Sequence, residues 1–249
     1  MRAILTYHSI DDSGSVISLS EAAFARHVEW LASGRVRVTT VDELLRLPDS
    51  VDAVAVTFDD GFRNFGEVAA PRLAAHGLSS TVFIVSDHVG RTNAWGGASD
   101  PRIPELPLLS WGELEQLAQG GVTIGGHTRR HGSLSRVGGQ ALVDEIVGGA
   151  RAIEDRIGRA PPGFAYPYGT VTDDAAALVA ATFSWGCTTE LRRVAAREDH
   201  ARLPRLDMYY FREPGSLEPW GTARFDYYVK LRACIRQVRQ GLALRRESR

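Results

Sequence analysis

Val54-Ala55-Val56-Thr57-Phe58-Asp59-Asp60-Gly61 is the stretch from which the rest of the chain can be read. Small and β-branched apolar residues run unbroken into two adjacent carboxylates and a glycine, the pattern of a buried strand that presents its acids at its C-terminal end. In α/β folds that end is where ligands bind and reactions run. Two ionised neighbours repel, so a cleft holding both calls for a cation beside them or a shared proton. Taken alone, the pair reads equally well as a solvated turn.

Working outward from this strand, apolar runs and helical periodicities alternate. Residues 1–10 enter a first core strand directly, and a polar loop follows over 11–18. Ser20 is placed to cap a helix reaching residue 33, with Phe24, Val28 and Leu31 as its buried face. A short strand over 36–40 and a helix over 41–47 lead to the central strand. Downstream, the pattern predicts a helix over 65–76 stopped by Gly77, a strand over 80–85, a helix over 111–119 and a strand over 122–124. A helix over 139–157, a strand over 164–166, a helix over 173–181 and strands over 184–189 and 203–208 complete the series.

Strand–helix alternation throughout, with no repeat or linker to split it, argues for a parallel sheet or barrel with helices outside. A barrel is favoured because polar, chemically useful residues follow several different strands. One segment breaks the rhythm: residues 86–107 carry Gly90, Gly96, Gly97, Pro101, Pro104 and Pro107 around Trp95. A loop of that length in a compact domain is expected to be a lid or substrate wall.

The 249 residues suffice for one sizeable core. No apolar run approaches a membrane span, and the N-terminus has no apolar leader, so a cytoplasmic protein is expected. Cys187 and Cys234 are too few for a disulfide framework, which fits a reduced compartment. The net charge of -1 conceals an uneven distribution, since the last twenty residues carry seven basic side chains against Glu247 alone. Leu231, Cys234, Ile235, Val238 and Leu242 recur there at helical spacing. Such a stripe packs on its own domain or lies on an anionic bilayer as a peripheral contact. Basic residues are not interleaved with an aromatic platform, so nucleic acid is not an expected partner. No feature calls for a particular oligomeric state.

His127 and His131 lie four apart, directly after a strand and a glycine pair. On a helix they would project from one face, as two ligands of one metal must, although pairs at this spacing also occur on solvated helices. With Asp60 they supply two imidazoles and a carboxylate, a set found in catalytic zinc sites that keep an open position.

Thr57-Phe58-Asp59-Asp60-Gly61, His127-Thr128-x-x-His131 with Leu134, and Phe164-Ala165-Tyr166-Pro167-Tyr168-Gly169 resemble the first three motifs of the polysaccharide deacetylase family, carbohydrate esterase family 4, known as the NodB homology domain. They stand in the family's order and cover about residues 1–210, leaving 211–249 as a C-terminal extension with the basic amphipathic helix. The Tyr7-His8-Ser9 start and the form of the third motif resemble particularly the branch that de-N-acetylates poly-N-acetylglucosamine. The resemblance implies a distorted (β/α) barrel of the NodB homology type in a single domain. It makes Asp60, His127 and His131 the metal ligands and Asp59 the general base. It places the backbone N–H of Tyr168 at the tetrahedral oxyanion, together with the metal; without the motif, Tyr168 is a turn aromatic between Pro167 and Gly169. Zinc is the implied cofactor, with cobalt, nickel or iron also compatible with the donor set.

Two departures from the family stand out. The usual C-terminal histidine motif is missing, and His8 takes the place of the acid supplied from the first strand in permuted members; otherwise His8 is a core histidine. The third motif lacks the arginine that orients the base. Arg205, with Asp207 in support, could replace it, or it is a surface charge. Trp95, Trp185 and Trp220 are candidates to stack on a sugar face, Trp95 foremost because of its loop. The implied activity is metal-dependent removal of the N-acetyl group from an N-acetylated amino sugar, in an oligo- or polysaccharide, a nucleotide sugar or a lipid-linked glycan. Rivals are hydrolysis of another amide or an O-acetyl ester, and a carbohydrate-binding relative without turnover.

Overall fold

Among the described residues, ten strands run in chain order as β1 (Arg2–Tyr7), β2 (Ser9–Ile10), β3 (Ser18–Leu19), β4 (Arg37–Thr39), β5 (Ala53–Phe58), β6 (Thr81–Ile84), β7 (Thr123–Gly126), β8 (Gly163–Ala165), β9 (Trp185–Leu191) and β10 (Leu203–Asp207). The computed structural model describes residues 1–95 and 102–247, with side chains to residue 238. Seven of the strands close into a parallel ring in the order β1-β10-β9-β8-β7-β6-β5 and back to β1. β2 and β3 form a separate parallel pair beside the mouth, so the first apolar run is two elements rather than one strand.

The distortion of the barrel lies at β5. Its first half pairs with β4 (Arg37↔Ala53 to Thr39↔Ala55), its second half with β6 (Thr57↔Thr81, Phe58↔Val82). β4 is thus wedged where β5 and β6 diverge, and the N-terminal end of the ring is splayed.

Every residue of β5 is buried because both faces are covered. Val54, Val56 and Phe58 point outward into a cluster with Phe24, Leu31 and Phe65. Ala53 and Ala55 point inward, where Ile4, Phe83, Ala165, Trp185, Cys187 and Leu203 fill the lumen. Large and small residues alternate around that plug. A Cβ on Gly125 would stand 2.5 Å from the Phe83 ring, and one on Gly163 2.1 Å from Trp185.

The outer helices are α1 (Glu21–Ala32), α2 (Val41–Arg46), α3 (Ala70–Ala74), α4 (Trp111–Gln119), α5 (Gly139–Val143), α6 (Gly149–Ile157), α7 (Asp173–Thr182) and α8 (Ala223–Glu247). Ser20 caps α1 through Ala23 N–H, as its position predicts, and Ser110 closes a capping box with Glu113 on α4. The helix expected over 65–76 opens as a π-turn, Phe65–Ala69, before α3, and Gly77 ends it with φ +65°. The helix expected over 139–157 is likewise interrupted by a π-turn, Asp144–Gly148, between α5 and α6.

α8 departs from the stripe predicted for it. Phe225 and Val229 are buried, Tyr228 donates its hydroxyl to Tyr210 O at 2.6 Å, and Arg232 lies over the Tyr210 and Tyr228 rings. Leu231 and Val238 face outward, 43% and 58% exposed, Cys234 is exposed as well, and the Leu242 side chain lies outside the described residues. Aromatic rings and an arginine stem, not the aliphatic stripe, make the packing face. Among the described residues no helix is long and apolar enough to cross a membrane.

Candidate active site

At the C-terminal mouth the inward register turns from apolar to polar. Along β1 and the residue after it, Ile4, Thr6 and His8 follow one another at period two; along β5, Ala55, Thr57 and Asp59; along β10, Leu203, Arg205 and Asp207. The ladder runs one residue past the strand ends, with Asp59 N donating to Tyr7 O and His127 N to Ile84 O, both at 2.9 Å. Three remote segments thereby meet around one cleft of about 570 Å³, a size typical of small-molecule sites.

Arg205 is 1% exposed and grips Asp59 with two parallel hydrogen bonds, Nη1 to Oδ1 at 2.6 Å and Nη2 to Oδ2 at 2.7 Å. Its Nε donates to Thr188 O at 2.9 Å, fixing the guanidinium plane. Burial alone would raise the Asp59 carboxyl. The adjacent guanidinium outweighs that and holds it below the usual carboxylate range. The surface-charge alternative for Arg205 is therefore overturned, whereas Asp207 gives it no hydrogen bond. Asp207 accepts from Tyr209 N at 3.1 Å and faces Arg236 at 3.7 Å, acting on Arg205 only through its charge. His8 brings Nε2 to 3.8 Å from Asp59 Oδ2 with a quarter of its side chain exposed, so it lines the cleft rather than bonding within the core.

Asp60 turns away from the strand with φ +71° and presents Oδ1 to His131 Nε2 at 3.1 Å and His127 Nε2 at 3.3 Å. The two histidines meet without a helix. Residues 127–131 form an irregular turn, with Thr128 at φ +65° and His131 at φ +60°, so the helical projection expected from their spacing is replaced by a strained loop. His127 Nδ1 donates to Ala165 O at 2.7 Å, which leaves the Nε2 lone pair toward Asp60. Asp60 Oδ1 and His131 Nδ1 are buried without a well-formed hydrogen bond.

Burial pushes His131 below its ordinary pKa, toward the neutral form that ligates. At His127 burial acts in the same sense but is outweighed by Asp60 and Asp59, and the net shift is upward. Two imidazole nitrogens and a buried carboxylate oxygen without a well-formed hydrogen bond, all within 4.8 Å of one another, are a donor set that could hold a divalent cation.

Trp95 stacks on His131 with ring centroids 4.4 Å apart and rests edge-on against His88. Tyr168, at φ +59° and 59% exposed, meets His131 from another side at 4.9 Å. The four non-glycine residues with positive φ among those described are Asp60, Thr128, His131 and Tyr168, all at this mouth.

The long loop is a wall rather than a free lid in its described part. Asn93 accepts from Leu106 N at 2.8 Å and donates to Pro104 O at 3.1 Å, tying its two limbs together. Gly96, Gly97 and Pro101 lie outside the described residues. Trp185 and Trp220 are not in the cleft: the first plugs the lumen and donates to Asp42 at 3.1 Å, the second packs on Trp30 and Phe225. Asn93, Tyr209, Tyr210 and Arg236 line the site without having been singled out. Only Asp207 carried a usable signal for that wall, two residues beyond Arg205 on the same strand face.

A family model described as Polysaccharide deacetylase matches residues 47–183. That span includes Asp59, Asp60, His127, His131 and Tyr168; His8 and Arg205 lie outside it, brought in by ring closure. Among curated proteins, the chain is 25% identical over 193 residues to YxkH of Bacillus subtilis (strain 168), whose name assigns it provisionally to the polysaccharide deacetylases, covering 75% of this chain and 64% of that protein. It is 22% identical to the poly-beta-1,6-N-acetyl-D-glucosamine N-deacetylase of Staphylococcus epidermidis, covering 76% of this chain and 67% of that one. The chain thus spans about two thirds of the length of these curated relatives. Among solved structures, IcaB from Ammonifex degensii superposes with a TM-score of 0.71 at 24% identity, over 87% of this chain and 94% of that one. The Streptococcus pyogenes deacetylase PplD, solved in complex with acetate, gives 0.69 at 19% identity, over 82% and 91%. At these identities the structural likeness establishes the barrel fold.

Proposed function

The chain belongs to the polysaccharide deacetylase family, and we propose that it hydrolyses the acetamide of an N-acetylated amino sugar to the free amine and acetate, using a divalent cation held by Asp60, His127 and His131. The observation that carries this is the buried Asp60 Oδ1, left without a well-formed hydrogen bond between two imidazole nitrogens at 3.1 and 3.3 Å. Zinc suits a site of two nitrogens and one carboxylate oxygen; cobalt, nickel and iron are accepted by the same donors. Such an ion, when bound, acidifies water and polarises the acetyl carbonyl.

The remaining roles fall to this chain's own side chains. Asp59 takes the proton of the attacking water, and Arg205 keeps it ionised and aimed. His8, beside Asp59 at the mouth with Nε2 3.8 Å from Oδ2, gives a proton to the departing nitrogen. The backbone N–H of Tyr168 supports the oxyanion, and Trp95 offers a flat apolar face to the sugar. The non-catalytic alternative rested on the altered third motif, and the Arg205–Asp59 pair weighs against it by supplying the base with an orienting partner.

Acetate release from N-acetylglucosamine oligomers tests the proposal, with protein stripped of metal and reloaded with zinc or cobalt beside Asp59→Asn. Metal-dependent release that Asp59→Asn abolishes is the expected result. Metal-loaded protein that releases no acetate across the panel refutes the substrate class, and release of acetate from an O-acetylated sugar but not from the oligomers moves the activity to O-acetyl esters. We also propose that exposed Leu231 and Val238, with the basic tail, rest on an anionic lipid surface; co-sedimentation with anionic vesicles unchanged by Leu231→Glu and Val238→Glu refutes it.

A further inference from the structure

His131 reaches Asp60 because the segment from His127 to His131 is neither helix nor strand. Its backbone groups are satisfied one by one from outside. On one side, Ser86 N and Asp87 N donate to Thr128 O at 3.3 Å and Arg129 O at 3.0 Å. Within the loop, His131 N donates to Thr128 Oγ1 at 3.0 Å. On the other side, Arg129 N and Arg130 N both donate to a single atom, Glu145 Oε2, each at 3.0 Å.

Glu145 is buried to 6% exposure, and its second oxygen accepts from Arg130 Nη1 at 2.7 Å. It sits in the π-turn Asp144–Gly148, where one extra residue between α5 and α6 re-aims the side chains toward the loop. Gly149, directly after that turn, lets it approach the loop at backbone distance, and Gly148 leaves room for the Arg129 side chain. A Cβ on Gly148 would stand 3.2 Å from Arg129 Cδ, and one on Gly149 3.3 Å from the Thr128 carbonyl carbon.

We infer that Glu145 is a positioning residue of the metal site, holding residues 128–131 in the left-handed turn that lets His127 and His131 converge on Asp60. This rests on the metal reading proposed above. The carboxylate touches no reacting atom; it acts through two backbone N–H groups, and the buried charge is compensated by those groups and by Arg130.

The test uses the full chain, stripped of metal and titrated with cobalt, reading the visible absorption of the bound ion, and with zinc against a chelator. Outer partners of metal ligands are worth about 10–100-fold in affinity, so Glu145→Ala is expected to weaken binding by at least about tenfold and to alter the cobalt spectrum. Glu145→Asp keeps the charge but withdraws the oxygens by about 1.5 Å, one carbon–carbon bond, and is expected to weaken binding likewise. Glu145→Gln keeps an acceptor within reach and is expected to stay within about fivefold, the difference between a charged and a neutral hydrogen bond. Arg130→Ala leaves both N–H bonds on Glu145 and, since Arg130 itself is half exposed, is also expected to stay within about fivefold.

If Glu145→Ala does not fold, the order of the Asp and Gln variants decides. Folded Glu145→Ala with wild-type affinity and spectrum, or Glu145→Asp binding as wild type while Glu145→Gln loses metal, overturns the inference. Wild-type protein that takes up no metal overturns the metal reading and this inference with it; wild-type binding kept by every Glu145 variant overturns this inference alone.

Discussion

Replacing Arg205 by methionine removes the partner of a buried carboxylate while keeping much of the side-chain volume. Both groups are nearly inaccessible, Arg205 at 1% and Asp59 at 2%, and both guanidinium bonds are short. Breaking one side of such a buried pair costs about 3–5 kcal/mol, since the surviving charge is left uncompensated. Asp59 responds by changing its titration. In the native protein its carboxyl is held below the usual range, so the pair's stabilisation is present above the unfolded carboxylate value of about 3.9 and fades as pH falls through the depressed one. Without Arg205, burial remains and pushes the carboxyl upward. The sign then inverts: the protonated native form is favoured, and stability falls as pH rises above about 4. Urea unfolding of Arg205→Met at pH 5 and pH 8 is therefore expected to show a larger deficit at pH 8, and the acid limb of the rate profile is expected to move to higher pH. Arg205→Lys keeps the charge but not the two-pronged grip and should fall between. A loss below about 1 kcal/mol, as for an exposed pair, with an unmoved acid limb, refutes the idea that Arg205 sets the state of Asp59.

Two further outcomes follow from the same geometry. His8→Ala is expected to lower kcat by about 10²–10⁴, the range for a general acid, with metal content unchanged; a full-rate variant moves the acid elsewhere. Because His127, shifted upward by Asp60 and Asp59, must lose its proton before it ligates, metal affinity is expected to fall as pH drops and the proton competes for the ring, by about tenfold per unit for one displaced proton. Equilibrium dialysis between pH 5 and 8 checks it, and a flat profile removes His127 from the ligand set.

Much of the barrel was legible because its strands are buried on both faces and read as continuous apolar runs, β5 above all. The carboxylate pair and the histidine pair were legible because ligand types at fixed spacing survive any local conformation. The spacing misstated their conformation, however: four residues suggested a helix, and the chain uses two left-handed residues instead. Arg205 was hard to weigh because an arginine in an arginine-rich chain carries its meaning only through the inward register of β10. Glu145 could not be seen at all, since a π-turn shifts side chains away from the helical period on which pattern reading depends. The packing face of α8 was misjudged because Phe225, Tyr228 and the stem of Arg232 outweigh an aliphatic stripe of smaller residues.

Ring closure has a consequence for how this chain comes to life. β1 and β10, the first and last strands of the sheet, lie side by side, with Leu5 opposite Leu206. Until residue 207 has been synthesised, β1 and β9 keep open edges, and Asp59 lacks its guanidinium. The same docking event that seals the barrel neutralises the buried acid across β1. A nascent chain short of β10 holds all three candidate metal ligands, yet Asp59, the proposed base, has no partner, so the complete site arrives in one late, long-range step rather than accumulating strand by strand.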